Sequence, residues 1–146
     1  MSTAMSISVI VADDDALVRD ALCATFHADD RFTVVATATN GLDAVELVRQ
    51  HRPDVVLLDV RMPGGGVEAA RAIRNSDSGT TVVVVSAKID AHLVADMLRV
   101  GARGMFVKGR LGDSLPDLVA RCRAGEVLLA TPAAAEGLRM YALPGS

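Results

Sequence analysis

Five short apolar runs, each followed by a segment with helical periodicity, constrain the fold of this chain more than any other feature of its sequence. The runs are ISVIVA from Ile7, FTVVATA from Phe32, DVVLLD ending at Asp59, TTVVVVSA from Thr80 and GMFVK ending at Lys108. Continuous apolar runs rich in β-branched residues are typical of strands that are covered on both faces. We therefore expect a parallel β-sheet with helices on both sides.

The segments between these runs have the stripes and end signals of amphipathic helices. A helix is predicted over Ala16 to His27, where apolar residues recur every four positions and Asp15 can cap the first turn. Asp90 is the predicted N-cap of the fourth helix, and the last helix should begin near Asp113 to Pro116. Five strands alternating with five helices predict an α/β fold with a five-stranded parallel sheet, the flavodoxin-like, doubly wound (βα)5 class.

The length of 146 residues suits one domain with a sizeable core. Gly125 follows the last predicted helix and marks its end. We assign residues 1–125 to this domain and residues 126–146 to a C-terminal tail or linker.

Composition and charge exclude several classes of function. The net charge of −3 gives no overall basic field for nucleic acid, and the absence of tryptophan leaves no aromatic platform for stacking bases. Cys23 and Cys122 lack metal-binding spacing, so two reduced, buried thiols are expected. The N-terminal apolar run is too short for a signal peptide or a membrane span, which predicts a cytoplasmic protein without membrane contact.

Polar residues stand where the predicted strands end. The first strand runs into Asp13 and Asp14, the third into Asp59, the fourth ends at Ser86 and the fifth at Lys108. The carboxyl ends of parallel strands lie at one edge of a sheet, and the first and third strands are neighbours in the flavodoxin-like order. We therefore expect these side chains to meet in one crevice.

The chemistry of this crevice follows from its residue types. Carboxylates that lie close together are stable at neutral pH chiefly when a cation neutralises them, and oxygen ligands without His or Cys point to Mg²⁺. Asp59 could then act as a nucleophile toward a phosphoryl group. Mg²⁺, Lys108 and the Ser86 hydroxyl are suited to stabilising the phosphoryl oxygens.

The constellation and its order along the chain resemble the receiver domain of two-component response regulators. The resemblance implies that Asp59, in LLDVRMP, accepts a phosphoryl group from a sensor histidine kinase. Ser86, in VVVVSA, would reorient toward that group, and Lys108, in MFVKG, would pair with it. Such a domain catalyses its own phosphorylation and slow hydrolysis, and so switches a surface made by the fourth helix, the fifth strand and the last helix.

The same resemblance implies a set of ligands for Mg²⁺. Asp13 and Asp14, in VADDD, match the acidic pair that positions the metal. Asp14 is expected to bind directly and Asp13 largely through water. Asp59 and the backbone carbonyl of Arg61 would complete the set.

Further motifs, GARGMFVKG and RCRAGEVLLATP, resemble the LuxR/NarL class, in which a similar tail leads into a helix-turn-helix DNA-binding domain. These 146 residues contain no basic recognition helix, so no direct DNA contact is expected from them. A receiver separated from its effector and a stand-alone receiver are both open. The cognate kinase, the signal, the output partner and the oligomeric state are open too, although surplus apolar residues on the first and last helices would suit a homodimer.

Two departures from the family pattern favour an alternative function. RMPGGGVEA has three glycines, Gly64 to Gly66, where the family usually has one more residue, so this loop should be shorter, looser or differently aimed. Met105 stands where an aromatic switch residue is usual. The alternative is a receiver-like protein-binding module that works without phosphorylation. A third class, a Mg²⁺-dependent phosphatase, would need a second carboxylate where Arg61 stands.

Overall fold

The computed structural model describes residues 6–109 and 112–143. Residues 1–5 and 110–111 of the predicted domain and 144–146 of the predicted tail lie outside the described residues. The elements follow in the order β1 (Ile7–Ala12), α1 (Ala16–His27), β2 (Phe32–Ala38), α2 (Gly41–His51), β3 (Val55–Leu58), α3 (Gly66–Asn75), β4 (Thr81–Ser86), α4 (Ala91–Arg99), β5 (Gly104–Val107), a 3₁₀ turn (Gly112–Ser114), α5 (Leu115–Arg123), β6 (Leu128–Ala130) and α6 (Ala134–Ala142).

The strands form one parallel sheet in the order β2-β1-β3-β4-β5-β6. The chain moves from β1 outward to β2 and then crosses to β3 on the other side of β1. The carboxyl ends of β1 and β3 are therefore neighbours at the point where strand order reverses, which is where open α/β sheets bind ligands. This arrangement confirms the predicted α/β, flavodoxin-like parallel fold.

The predicted number of strands is wrong, because the sheet in the described residues has six strands and not five. The extra strand, β6, pairs in parallel with β5 through Leu128, Leu129 and Ala130. Three residues are too few to produce a recognisable strand period in the sequence. The following helix, α6, packs against α4. Residues 128–142 of the predicted tail thus add a strand and a helix to the body of the fold, while the boundary at residue 125 stays a prediction.

Alternate side chains along the central strands divide between two apolar layers. Val9 and Val11 of β1 lie in the layer that also contains Phe26 of α1 and Val119 of α5. Ile10 of β1 lies in the opposite layer, which is covered by α2, α3 and α4. Because the central strands β3 and β4 are buried on both faces, their continuous apolar runs in the sequence are explained by the fold, whereas the edge strand β2 is only partly buried.

Two predicted helix caps are confirmed. Asp15 has extended backbone geometry, and its carboxylate accepts hydrogen bonds from the backbone N–H groups of Leu17 and Val18 at the start of α1. The Asp90 carboxylate accepts a hydrogen bond from the Leu93 N–H at the start of α4. Each cap satisfies backbone donors that the first helical turn leaves without a partner.

Cys122 is buried and Cys23 is partly buried, and both are free thiols. In the ranges 6–109 and 112–143, no helix has both the length and the apolar composition required to cross a membrane.

Candidate functional site

Backbone hydrogen bonds between neighbouring strands hold the polar residues at the carboxyl edge of the sheet. The Asp13 N–H donates to the Ala38 carbonyl at 3.0 Å, and the Asp59 N–H donates to the Ala12 carbonyl at 3.0 Å. The Lys108 N–H donates to the Ser86 carbonyl at 2.9 Å. Each residue therefore continues the ladder of its strand for one step, so the sheet itself fixes where these side chains begin.

The side chains of Asp13, Asp59, Ser86 and Lys108 meet in one crevice, as predicted from the strand ends. Lys108 Nζ lies 2.6 Å from Asp13 Oδ2 and 3.1 Å from Asp59 Oδ2. The Ser86 hydroxyl donates a hydrogen bond to Asp59 Oδ1 at 3.2 Å. Asp59 thus has a cation at one carboxylate oxygen and a hydroxyl at the other.

Burial makes these charges interact strongly. Asp13 and Asp59 are only 1% and 4% exposed, and Ser86 is fully buried. Burial raises the pKa of Asp13, and the nearby Asp59 charge raises it further, although Lys108 and the Asp15 N–H act in the opposite direction. Burial alone would lower the pKa of Lys108, but the contacts with Asp13 and Asp59 outweigh it and raise that pKa.

The acidic residues of the crevice also form a candidate binding site for a hard divalent cation. Oxygen atoms of Asp13, Asp14 and Asp59 can all lie within 4.8 Å of one another. Among the described residues, the Lys108 ammonium contacts the carboxylates of Asp13 and Asp59, and one positive charge leaves part of the negative charge of the three carboxylates uncompensated. Asp13 Oδ2 touches Lys108, yet it accepts no hydrogen bond of regular geometry within the described part of the chain. The described residues therefore fit Mg²⁺, which prefers several oxygen ligands including carboxylates and water.

Arg61 contributes to the site through its backbone. Its N–H donates to Asp59 Oδ1 at 3.1 Å, which orients the carboxylate toward the loop that follows β3. The Arg61 residue is exposed, unlike the buried Asp59. Its predicted role, a carbonyl ligand to the metal, stays a prediction.

The glycine loop after Arg61 is packed against its neighbours. Gly64 and Gly65 have φ values of 93° and 78°, which suit glycine. The Gly41 N–H donates to the Pro63 carbonyl at 2.8 Å and so ties the loop to the start of α2. A methyl group on Gly66 would lie 2.4 Å from the Val60 Cα. The glycines therefore let the loop and the start of α3 approach the backbone close to Asp59.

Met105 is fully buried, in the apolar layer beneath α4, and its neighbour in β6 is Leu129. Met105 therefore fills a core position that the extra strand covers. Phe106, the next residue, lies in the opposite layer beneath α1 and α5. Neither residue places an aromatic ring in the α4 layer.

One contact of the site was missed by reasoning from sequence. The Arg19 guanidinium donates a hydrogen bond to the Asp13 backbone carbonyl at 2.9 Å, from the first turns of α1. This bond holds the acidic loop against the helix that follows it. The signal was available in the spacing, because a long basic side chain one turn into a helix can reach back to the loop before it.

With this geometry in hand, comparison with known proteins identifies the family. The family model of the response regulator receiver domain matches residues 9–120, which include all six predicted site residues. The chain belongs to this family, the receiver domains of two-component response regulators, and the family prediction is confirmed. β6 and α6 lie beyond the matched residues.

The relatives belong to the LuxR/NarL class. The chain is 33% identical over 124 residues to the transcriptional regulatory protein LnrK of Bacillus subtilis, which covers 84% of this chain and 56% of LnrK. It is 34% identical over 125 residues to the probable transcriptional regulatory protein NarL of Mycobacterium tuberculosis, covering 85% of this chain and 58% of that protein. The chain therefore spans little more than half the length of these curated relatives.

Solved structures agree with the sequence relatives. The signal receiver domain of the putative response regulator NarL from Mycobacterium tuberculosis matches with a TM-score of 0.79 and 34% identity, over 83% of this chain and 98% of that one. A LuxR-family two-component response regulator from Aurantimonas sp. SI85-9A1 matches with a TM-score of 0.84 and 25% identity, over 93% of this chain and 98% of that one.

Proposed function

We propose that this receiver accepts a phosphoryl group on Asp59 from a sensor histidine kinase, in a Mg²⁺-dependent reaction, and thereby switches the surface made by α4, β5 and α5. The observation that carries the proposal is the meeting of Asp59 with Lys108 and Ser86 at the carboxyl edge of the sheet. Membership of the receiver family supports it.

Asp59 is the proposed nucleophile. One of its carboxylate oxygens forms a bond to phosphorus while the N–P bond of a kinase phosphohistidine breaks, and the leaving nitrogen keeps the electron pair. A small acyl phosphate would donate in the same way through its O–P bond. Attack of water on phosphorus later restores the carboxylate. The domain would thus catalyse its own phosphorylation and dephosphorylation without being a metabolic enzyme.

Lys108 and Ser86 are the proposed stabilising groups. Lys108 Nζ already lies 3.1 Å from Asp59 Oδ2, so a short movement would bring the ammonium to an oxygen of the transferred group. The Ser86 hydroxyl can make the same exchange from Asp59 Oδ1 to a phosphoryl oxygen. Donors fixed in a buried site stabilise the developing negative charge with little rearrangement.

The proposed Mg²⁺ ligands are Asp13, Asp14, Asp59 and the backbone carbonyl of Arg61, with Asp13 acting largely through water. When bound, Mg²⁺ supplies positive charge for the oxygens of the transferring phosphoryl group. The chain's own contribution is to hold buried and exposed carboxylates close together at one edge, with the Asp15 N–H donating to Asp13 Oδ1 at 2.9 Å.

An apolar surface beside the crevice would suit a protein that delivers the phosphoryl group. A cavity of about 440 Å³ is lined by Val18 and Leu22 of α1, by Leu115 of α5 and by Lys108 itself. Leu17, on the same helix, is 83% exposed. We assign this surface to the kinase, and a homodimer through α1 and α5 is the other use of the same residues.

The proposed output is a protein contact. In the LuxR/NarL class a helix-turn-helix domain provides the contact with DNA, and we assign no DNA or membrane contact to the 146 residues of this chain. We place its action in the cytoplasm.

A receiver-like module that works without phosphorylation is the alternative, and Met105 favours it. Met105 is buried and covered by β6, so no aromatic ring is available at this position to follow Ser86. The intact set of Asp13, Asp14, Asp59, Ser86 and Lys108 supports phosphorylation instead.

Intact mass after incubation with acetyl phosphate and Mg²⁺ tests the proposal. We expect a labile phosphoryl adduct in the wild type that is absent in Asp59→Asn and after EDTA treatment. Asp54→Asn is the matched control, since Asp54 lies directly before the same strand and should leave the adduct intact. A folded wild type without an adduct would favour the alternative.

A further inference from the structure

The segment from β6 through α6, residues 128–142, covers two of the three elements of the proposed output surface, and we call it the C-terminal cover. β6 pairs with the outer edge of β5. α6 packs along α4. In this structure a partner approaching that side of the molecule therefore meets α5 and α6, while β5 and one face of α4 are already occupied.

The contact between α6 and α4 is close and depends on a glycine. Val94 of α4 is fully buried, and a methyl group on Gly137 would lie only 2.4 Å from the Val94 Cβ and Cγ1 atoms. Carbon atoms that are not bonded approach to about 3.5 Å at their optimum. Gly137 thus lets the two helices pack backbone against side chain.

Polar contacts attach the cover at both ends. The Thr131 hydroxyl donates to the Ile89 carbonyl at 3.3 Å, in the loop between β4 and α4. The Arg99 guanidinium, at the end of α4, donates to the Met140 carbonyl at 3.1 Å. Ile89 lies three residues after Ser86, so one of these attachments is made to the loop that begins at the proposed phosphorylation site.

The cover buries much less than the other helices do. Within α6, all of which is described, Gly137 alone is buried, whereas Leu138 and Tyr141 are 46% and 47% exposed. In α5, by contrast, the buried residues include Leu115, Val119 and Cys122. Because buried apolar surface is the main stabilising contribution, the cover should open at a lower free energy than the rest of the domain.

We infer that the C-terminal cover is a releasable, autoinhibitory element that closes the α4–β5 surface to partners and opens as a unit while the remaining fold stays intact. Its closed position depends on Gly137 fitting against Val94. Its connection to signalling, through Thr131 and the loop after Ser86, rests on the proposed function.

A native thiol reports on this opening. Cys122 of α5 is 1% exposed, and Leu128 of β6 packs against the apolar layer that contains it. Release of β6 would therefore expose Cys122 to an alkylating reagent. Cys23 of α1 lies on a different helix and is partly exposed, so it serves as an internal reference for reagent reactivity, while urea denaturation of each variant reports on opening of the whole domain.

The test is the rate of alkylation at each cysteine in the full chain, measured by peptide mass in wild type, Gly137→Ala and the control Ala135→Leu. If α6 packed against nothing, alanine would be a better helix former than glycine at position 137, and Gly137→Ala would slow opening. Against Val94 the added methyl overpacks the contact, and we expect labelling of Cys122 to rise about tenfold with Cys23 unchanged. Ala135 is exposed in the same helix, and its variant should behave as wild type.

Two results would overturn the inference. Acceleration at Cys122 that is fully accounted for by a lower global stability of Gly137→Ala in urea denaturation would mean that the segment opens only with the whole domain and is not a separate cover. Unchanged or slower labelling of Cys122 in Gly137→Ala would mean that α6 does not pack on Val94.

A separate arm addresses the link to phosphorylation. Wild type is treated with acetyl phosphate and Mg²⁺, the adduct is quantified by intact mass, and labelling is repeated. Faster labelling of Cys122 in the adduct would support release by phosphorylation, and an adduct with unchanged labelling would contradict that link. Absence of an adduct would count against the proposed function alone, because the Gly137 variant decides the cover independently.

Discussion

Strand β3 has a carboxylate at each end, Asp54 before it and Asp59 after it, and the two are used in opposite ways. Asp59 shares a buried crevice with Asp13. Among the described residues, Lys108 is the side-chain cation that contacts both carboxylates. Both carboxylate oxygens of Asp54, in contrast, accept hydrogen bonds from donors on Ser8 and Arg123. The amino end of the strand is therefore built for stability, and the carboxyl end keeps charges together for another purpose.

The contacts of Asp54 join three elements. Its Oδ2 accepts hydrogen bonds from the Ser8 N–H at 2.9 Å and from the Ser8 hydroxyl at 3.2 Å. Its Oδ1 accepts one from the Arg123 guanidinium at 3.0 Å. Burial alone would raise the pKa of Asp54, but the Ser8 and Arg123 donors outweigh it and lower that pKa. At the other end the pKa of Asp13 is raised.

The difference shows how to separate structural from functional carboxylates in one sheet. A carboxylate that accepts hydrogen bonds from its donors stabilises the fold when it is ionised. Buried carboxylates that lie close together destabilise the fold, and they persist where a ligand or reaction needs them.

Removing the cation of the crevice should have the largest effect. Lys108→Met leaves Asp13 and Asp59 buried without their ammonium partner, and loss of one partner of a buried pair lowers the free energy of unfolding by about 3 to 5 kcal/mol. We expect Mg²⁺ to restore part of this loss. Urea denaturation in EDTA and in Mg²⁺ measures both quantities.

The other lysine of the chain provides the matched control. Lys88 is exposed, and Lys88→Met should leave the urea midpoint close to that of wild type. Equal stability of Lys108→Met and wild type in EDTA would show that the ammonium does not stabilise the crevice.

The crevice residues could be predicted from sequence because topology alone determines where they lie. Asp13, Asp59 and Lys108 each follow an apolar run, and in a parallel sheet the residues that follow the strands share one edge. Their distances could not be predicted, since these depend on rotamers. The pairing of Lys108 with both carboxylates is visible only in the structure.

The C-terminal cover could not be predicted, for a different reason. β6 has three residues, and α6 is rich in alanine with Gly137 at its centre, so neither has a strong periodic signal. Their structure comes from tertiary contacts with β5 and Val94. Short elements stabilised by packing are where a reading of local pattern fails.

Removing a buried negative charge should have a smaller effect of opposite sign. Asp13→Asn takes away the charge that burial and Asp59 both disfavour, so in EDTA we expect a stability about 1 kcal/mol above wild type. Mg²⁺ should stabilise this variant less than it stabilises wild type. Urea denaturation across a Mg²⁺ titration gives both values.

Asp14→Asn separates the charge effect from the metal effect. Asp14 is exposed, so its variant should weaken stabilisation by Mg²⁺ without raising stability in EDTA. A stability of Asp13→Asn below that of wild type in EDTA would contradict the expectation that the buried Asp13 charge destabilises the fold.

At the amino end of β3, removing the carboxylate charge should lower the free energy of unfolding instead of raising it. Near neutral pH this change should be the smallest of the series. Asp54→Asn keeps the shape but loses the charge that Arg123 and the Ser8 donors bind, and because the Arg123–Asp54 pair is partly exposed to solvent, stability should fall by only about 0.5 kcal/mol. The pKa of Asp54 is below 3.8 in the folded state. Its contribution is therefore fully present above pH 3.8 and is lost as the pH falls through the lower folded value.

The difference in free energy of unfolding between wild type and Asp54→Asn, measured by urea denaturation, should thus be constant from about pH 5 to 7. This range lies roughly one unit or more above the ordinary pKa of an aspartate. The difference should shrink below about pH 4. Asp30→Asn, at an exposed carboxylate, is the matched control. A difference that persists unchanged at the lowest pH at which both proteins are folded would mean that Asp54 stabilises through shape alone. Its ionisation would then have no part in joining β1, β3 and α5, and the contrast between the two ends of β3 would rest on packing.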